Sequence, residues 1–250
     1  MFLPMMTDEE KMTEALGIVR EVRSIHKMNA ELSRDKMKRA TRFPFFIYYE
    51  LVDDRNNTWW LTYMCRSKED RHKGRFLCYC YTIYEIEKKE KGIVKVDGNT
   101  GKGIFMFDPL TINELLDGDI YTRGMTCFID IVPHAFNQYT KRYLKDKGRD
   151  NISFRKKVES IMLRWMHFDV IGDESSNKHA DKGDVPYDVF MFGGGMLRGQ
   201  CINAELIRFF TYIDESMMFE EQLERQKEMT REYYHWKAKG IYGKWGINNV

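Results

Sequence analysis

Asp130-Ile131-Val132-Pro133-His134-Ala135-Phe136-Asn137-Gln138-Tyr139-Thr140-Lys141-Arg142-Tyr143-Leu144-Lys145 passes from strand-like to helix-like sequence at a single proline. The run from Thr126 to Val132 is apolar and β-branched, as a strand requires. Pro133 has no amide to donate, and its fixed φ suits the first turn of a helix. A helix from His134 to about Lys145 is therefore predicted. At about 100° per residue, His134, Gln138, Lys141, Arg142 and Lys145 fall on one arc, and Ala135, Phe136, Tyr139 and Tyr143 fill the facing one. One side of this helix packs, and the other carries charge.

Downstream, Ser153 is placed to cap a second helix in which Phe154, Val158, Ile161, Trp165 and Phe168 repeat at three or four. Between Lys141 and Lys157 stand eight basic residues (Lys141, Arg142, Lys145, Lys147, Arg149, Arg155, Lys156, Lys157) and two acidic ones, the sharpest charge asymmetry in the chain. The polar stretch from Gly172 to Val185 reads as a loop. Asp188 to Phe192, Met196 to Ile202 and Glu205 to Ile213 read as three strands. Gly193-Gly194-Gly195 between the first two fits a hairpin turn, because a phosphate cradle needs a helix after the glycines and a strand follows instead. Asp214 to Lys239 reads as a final helix with Glu221 and Arg225 at pairing distance and a broken stripe of Phe219, Leu223, Tyr233 and Trp236.

Upstream, Thr7 and Glu10 have the spacing of a capping box, and Ala15, Ile18, Val22, Ile25 and Leu32 carry a helix to about Ala40. Its second half is basic, which suits a solvated face or a phosphate-contacting one. Phe43 to Val52, Thr58 to Cys65 and Arg75 to Ile86 form an antiparallel meander. Glu87 to Lys91 reads as a charged turn, Ile93 to Val96 and Ile104 to Phe107 as short strands, and Pro109 to Leu116 as a helical turn. Trp59, Trp60, Tyr79, Tyr81 and Tyr84 suit core and cross-strand pairing better than base stacking. The expected class is α+β: a long N-terminal helix, an antiparallel meander, two central helices, a three-stranded antiparallel unit and a long C-terminal helix. A soft boundary near 120 divides residues 1–120 from 121–250, or one continuous core spans both.

Forty basic and 38 acidic residues leave a net charge of +2, so any nucleic-acid argument rests on local clusters. The cysteines (Cys65, Cys78, Cys80, Cys127, Cys201) lie mostly in apolar runs and read as buried thiols of a reducing compartment, so a cytoplasmic location is expected. No stretch has the roughly 18 apolar residues of a membrane span, and the apolar first residues lack the form of a signal peptide. Cys78-Tyr79-Cys80 has no second ligand pair, and His167 with Asp169 or His179 with Asp181 makes too few ligands, so neither metal nor cofactor is expected.

His134 is the residue type that moves protons near neutral pH, and an arginine beside it is suited to a phosphate whose charge builds during cleavage. Metal-free RNA cleavage needs little more, because the ribose 2′ hydroxyl is the nucleophile. Equally, His134 suits a helix-start residue bonded to backbone. Pro133-His134-Ala135, Arg142, the helix around Lys156 to Leu163, the Tyr187 to Gln200 hairpin and Phe209-Phe210-Thr211-Tyr212 together resemble the RelE-like and barnase/EndoU/colicin-type ribonuclease toxin superfold. The resemblance covers about residues 126 to 214. It implies His134 as general acid or base, Arg142 as phosphate stabiliser, and Thr211 or Tyr212 as a hydrogen-bonding partner of the scissile phosphate. Gln138, Lys141, Lys145, Arg149, Lys156 and Lys157 would contact the RNA. Gln138 departs from the arginine usual four residues after the histidine, and glutamine positions a phosphate without neutralising it.

The resulting expectation is a nucleic-acid-directed protein, with a metal-independent endoribonuclease of toxin or defence-associated type as its enzymatic form. A non-catalytic nucleic-acid binder is the first alternative. The other is an assembly protein that meets a partner, or itself, through its terminal helices.

Overall fold

Thr7 starts the first helix through both halves of the capping box. The Glu10 amide donates to Thr7 Oγ1 at 3.2 Å, and the Thr7 amide donates to the Glu10 carboxylate at 2.7 Å. This helix, α1 (Asp8–Lys38), buries Ala15, Ile18, Val19, Val22, Ala30 and Met37. Leu32, expected on that stripe, is exposed. The helical repeat through Ala30 reaches Ser33 instead, which is fully buried and shares a 3.0 Å hydrogen bond with the Tyr49 hydroxyl.

The computed structural model describes residues 6–74, 76–90, 93–95, 100–107, 128–164, 185–191, 193–202 and 206–238. The expected turn at Pro109 to Leu116, most of the loop from Gly172 to Val185, Cys127 and the His167/Asp169 and His179/Asp181 pairs lie outside the described residues. The chain divides into two units, one of residues 1–83, 105–128 and 235–250, the other of 84–104 and 129–234.

In the first unit, β1 (Phe45–Val52), β2 (Thr58–Cys65) and the start of β3 (Leu77–Ile86) form the antiparallel meander that the alternating aromatics predict. The β1–β2 turn is tied by Asp53, whose carboxylate accepts from the Arg55 amide, the Asn57 amide and the Trp59 indole at 3.0, 2.8 and 3.0 Å. Trp60 stacks on Tyr81, its cross-strand partner, at 5.4 Å. Trp59, Tyr79 and Tyr81 are buried, so these aromatics build the core. A one-turn helix, α2 (Lys68–His72), occupies part of the stretch between β2 and β3 that reads as a connection. Its cap, Ser67, accepts from the Asp70 amide at 3.0 Å.

The second unit contains the hairpin of β4 (Lys88–Glu90) and β5 (Ile93–Lys95). β4 replaces the expected charged turn: its lysines and glutamate, poor strand formers, are held by pairing with β5. β6 (Gly101–Phe107) and β7 (Phe128–Ile131) begin in one unit and end in the other. After β7 come α3 (Pro133–Tyr139), a wider helical turn over Thr140–Leu144, and α4 (Phe154–Arg164), whose first turn is capped by Ser153. β8 (Val185–Phe190), β9 (Met196–Ile202) and β10 (Leu206–Ile213) are antiparallel, in the order β7-β10-β9-β8. The expected three-stranded unit thus gains a fourth member.

Gly193, Gly194 and Gly195 have φ of +80°, +96° and +80° and turn β8 into β9, as the hairpin reading requires. Asp214 caps a short 3₁₀ turn, Glu215–Met217, rather than the last helix; α5 begins later, at Glu220, and runs to Ala238. Arg225 pairs with Glu228 at 2.5 Å, not with Glu221. Leu223 packs against Phe190, Met196, Met218 and Met229, whereas Phe219 is exposed. The side chains of Tyr233 and Trp236 lie outside the described residues. The α+β class stands. Among the described residues no helix is long and apolar enough to cross a membrane.

Candidate nucleic-acid interface

α3 takes its direction from β7 and its seat from β10. Pro133, Ala135, Phe136 and Tyr139 are buried, while His134 and Gln138 are half-buried and Lys141 is exposed, so the helix is two-sided as its sequence predicts. Two backbone-directed bonds fix it along β10. The Val132 amide donates to the Phe209 carbonyl at 3.2 Å, and Arg142 Nη1 donates to the Tyr212 carbonyl at 2.6 Å. The helix therefore runs in step with the strand.

Regular α-helical numbering fails beyond Tyr139. Thr140 Oγ1 donates to the Phe136 carbonyl at 3.0 Å, and the Lys145 amide reaches back five residues to the Thr140 carbonyl at 3.0 Å. Such a turn advances less than 100° per residue. Arg142 and Lys145 are therefore rotated away from the arc drawn through His134 and Gln138. Arg142 is half-buried against β10, and Lys145 is exposed.

Tyr212 and Thr211 point to opposite faces of β10, as neighbours in a strand do. Tyr212 is fully buried on the α3 side, with its ring edge-on to Tyr139 at 5.3 Å. Thr211 is half-buried and paired across the ladder with Arg198, itself held by two hydrogen bonds to Asp188 at 3.1 and 2.9 Å. The predicted constellation thus divides: Arg142 and Tyr212 meet through the Tyr212 carbonyl, His134 stands at the start of the same helix, and the Thr211 side chain is on the other face.

Residues not singled out from sequence organise the centre of this unit. The Arg164 guanidinium lies 3.4 Å from the Tyr143 ring centroid and within 5.5 and 5.8 Å of those of Tyr139 and Tyr212, and it donates to the Gly194 carbonyl. Burial pushes the Tyr139 phenol up to about 12, against the opposing pull of its Ser160 hydrogen bond and the Arg164 charge. It raises Tyr212 for the same reason. The signal for Arg164 was its place three residues after Ile161, on the buried stripe. On β7, Asp130 is fully buried and accepts from the Tyr84 hydroxyl at 2.5 Å and from Arg208 Nε at 3.0 Å. This ties the strand that leads into α3 to β10.

The cations follow in a run. Lys141, Lys145, Lys147, Arg149, Arg155 and Lys156 are exposed and Lys157 is half-buried; Lys156 pairs with Glu159 at 2.7 Å, and Lys147 lies over the Tyr143 ring at 5.0 Å. Gly148, with φ +63°, closes the helical turn by donating to the Lys145 carbonyl at 2.8 Å, and so turns the chain toward α4. Chemically, this is a flexible set of donors for oxyanions. Among the described residues, no group of three or more His, Cys, Asp or Glu side chains is placed to hold a metal ion. No family model, curated protein or solved structure matches this chain.

Proposed function

We propose that this protein is nucleic-acid-directed and engages RNA, or another nucleic acid, by its phosphate backbone through the connection between α3 and α4. The observation that carries this reading is the exposure of six cations between Lys141 and Lys156, in a chain whose total charge is only +2. Clustered, solvated lysines and arginines give salt-dependent, largely sequence-independent affinity by releasing counterions from the phosphates. Arg142 serves as a positioning residue in this account, because its guanidinium is bonded to the strand beneath it.

A second reading, the metal-independent endoribonuclease, is favoured by one feature: a half-buried histidine in the first turn of α3, the helix that leads into this run of cations. His134 would be its general acid or base. The two readings separate in one experiment. The pure protein and His134→Ala are incubated with labelled single-stranded RNA and DNA, with and without chelator, and binding and cleavage are followed together. Salt-sensitive binding without cleavage supports the binding module. Chelator-resistant RNA cleavage lost in His134→Ala supports the ribonuclease. Neither activity would sink both and leave an assembly role for the terminal helices.

A further inference from the structure

We infer that Lys102 is a phosphate contact of this surface, brought by β6 to the end of α3 and α4 at which His134 stands; the inference rests on the nucleic-acid reading above. Lys102 lies at the mouth of its strand. Gly103 to Phe107 are buried, whereas Lys102 is exposed. Two contacts fix where this mouth opens. Asn137 Nδ2 donates to the Thr100 carbonyl at 3.0 Å, and two residues later the Lys102 ammonium lies over the Phe154 ring, 5.7 Å from its centroid. Gly101 joins the two with a φ of +113°, which a side chain would disfavour.

Both contacts lead to the cationic surface. Asn137 is three residues after His134 in the regular part of α3, so the two share one face of that helix. Phe154 is the first residue of α4, and Arg155, Lys156 and Lys157 follow it in the same turn. The two helices also run in the same direction, because their contacts rise together. Phe136 meets Phe154 at 4.7 Å, Tyr139 shares a 2.7 Å hydrogen bond with Ser160, and Tyr143 receives Arg164. The connection that carries Lys145, Lys147 and Arg149 therefore returns from the end of α3 to the level of its start. His134 and the basic first turn of α4 stand at one common end, and Lys102 emerges there from a third element.

An exposed lysine is ordinary, and its usual role is a solvated charge. The place of this one gives it another. A nucleic-acid backbone that follows the returning cations arrives at the common end, where Lys102 supplies a charge that neither helix carries. A lysine ammonium is a mobile point charge that accepts any phosphate oxygen, so its contribution is read in salt dependence and not in sequence preference.

The test titrates a labelled 2′-O-methyl oligouridine, which cannot be cleaved through its 2′ oxygen, into the full-length protein over a range of salt, by fluorescence anisotropy. Lys102→Met, Lys102→Gln, Lys102→Arg and Lys68→Met are compared with it. Methionine removes the charge and keeps an apolar stem for the Phe154 ring, glutamine is a second charge-removing change, and Lys68 is an exposed lysine of the first unit. Lys102→Met and Lys102→Gln are each expected to flatten the slope of log affinity against log salt by about 0.7, the contribution of one phosphate on a single strand. Lys102→Arg and Lys68→Met should leave the slope unchanged. A slope in both charge-removing variants equal to that of the unaltered protein overturns the role of Lys102 while the cationic reading survives. Equal flattening by Lys68→Met overturns it too, because total charge and not a contact would then be responsible. Binding of no probe by the unaltered protein would overturn both.

Discussion

Gly195 and Tyr139 show how much of the second unit hangs on single residues. A β-carbon on Gly195 would run into the Tyr212 hydroxyl and the Ile213 carbonyl, and its φ of +80° disfavours any other residue. Gly193 has the same φ, but its β-carbon would meet only the Tyr143 hydroxyl, at an ordinary 3.7 Å. Gly193→Ala should therefore cost only the left-handed backbone term, about 1–2 kcal/mol. Gly195→Ala should cost clearly more in the same urea titration; equal losses would mean that Tyr212 is not seated against the turn. Tyr139 gives a pH test. Its neutral form is favoured by burial, so its folded pKa of about 12 lies above the ordinary 10.0. Its contribution to stability is full below pH 10 and disappears as the pH rises through 12. An alkaline titration of tyrosinate absorbance should show Tyr139→Phe removing a late-ionising group. Removal of an early one would contradict the buried cage.

At the scale of elements, the contact between α3 and β10 decides what the basic helix is for. Arg142 spends one nitrogen on the Tyr212 carbonyl, a charged hydrogen bond that contributes about 1.5 kcal/mol or somewhat more. Arg142→Met is expected to lower the unfolding midpoint, and Lys145→Ala, on an exposed side chain, to leave it unchanged. If Arg142→Met were thermally silent, Arg142 would be free to serve a ligand, and the catalytic reading would gain. The proline, the capping box and the strand alternation made β7, α3, α1 and the meander readable from sequence, because each is a local preference of backbone or burial. What escaped was set by tertiary partners. The helix leaves α-helical phase where the Lys145 amide reaches back to the Thr140 carbonyl, Arg164 joins an apolar stripe because three tyrosines receive it, and Phe209-Phe210 hides a bulge that only the register with β9 discloses. The residues of the candidate site were nameable one by one, and strand alternation already puts Thr211 and Tyr212 on opposite faces. Which of the two faces receives α3 was not legible, because tertiary packing decides it.

Across the whole molecule, near-neutral total charge conceals two basic segments that compete for the same role. The end of α1 and the residues just after it expose Lys36, Lys38, Arg39 and Arg42, but Lys38 faces Asp35 at 3.8 Å, and Glu31 is exposed close by in the chain. The stretch from Lys141 to Lys156 exposes six cations against these four, so it should release more counterions on binding a strand. Each phosphate neutralised on a single strand contributes about 0.7 to the slope of log affinity against log salt. Replacing Lys141, Lys145 and Arg149 together by alanine should therefore flatten that slope by about 2. Replacing Lys36, Lys38 and Arg42 should leave it unchanged. The side chains on both sides of this comparison are exposed, so fold loss is not the expected cause of either result, and unfolding midpoints measured alongside would expose it. The reverse outcome, a slope flattened only by the α1 substitutions, would move the nucleic-acid surface to the first unit. His134 would then lose its connection to it.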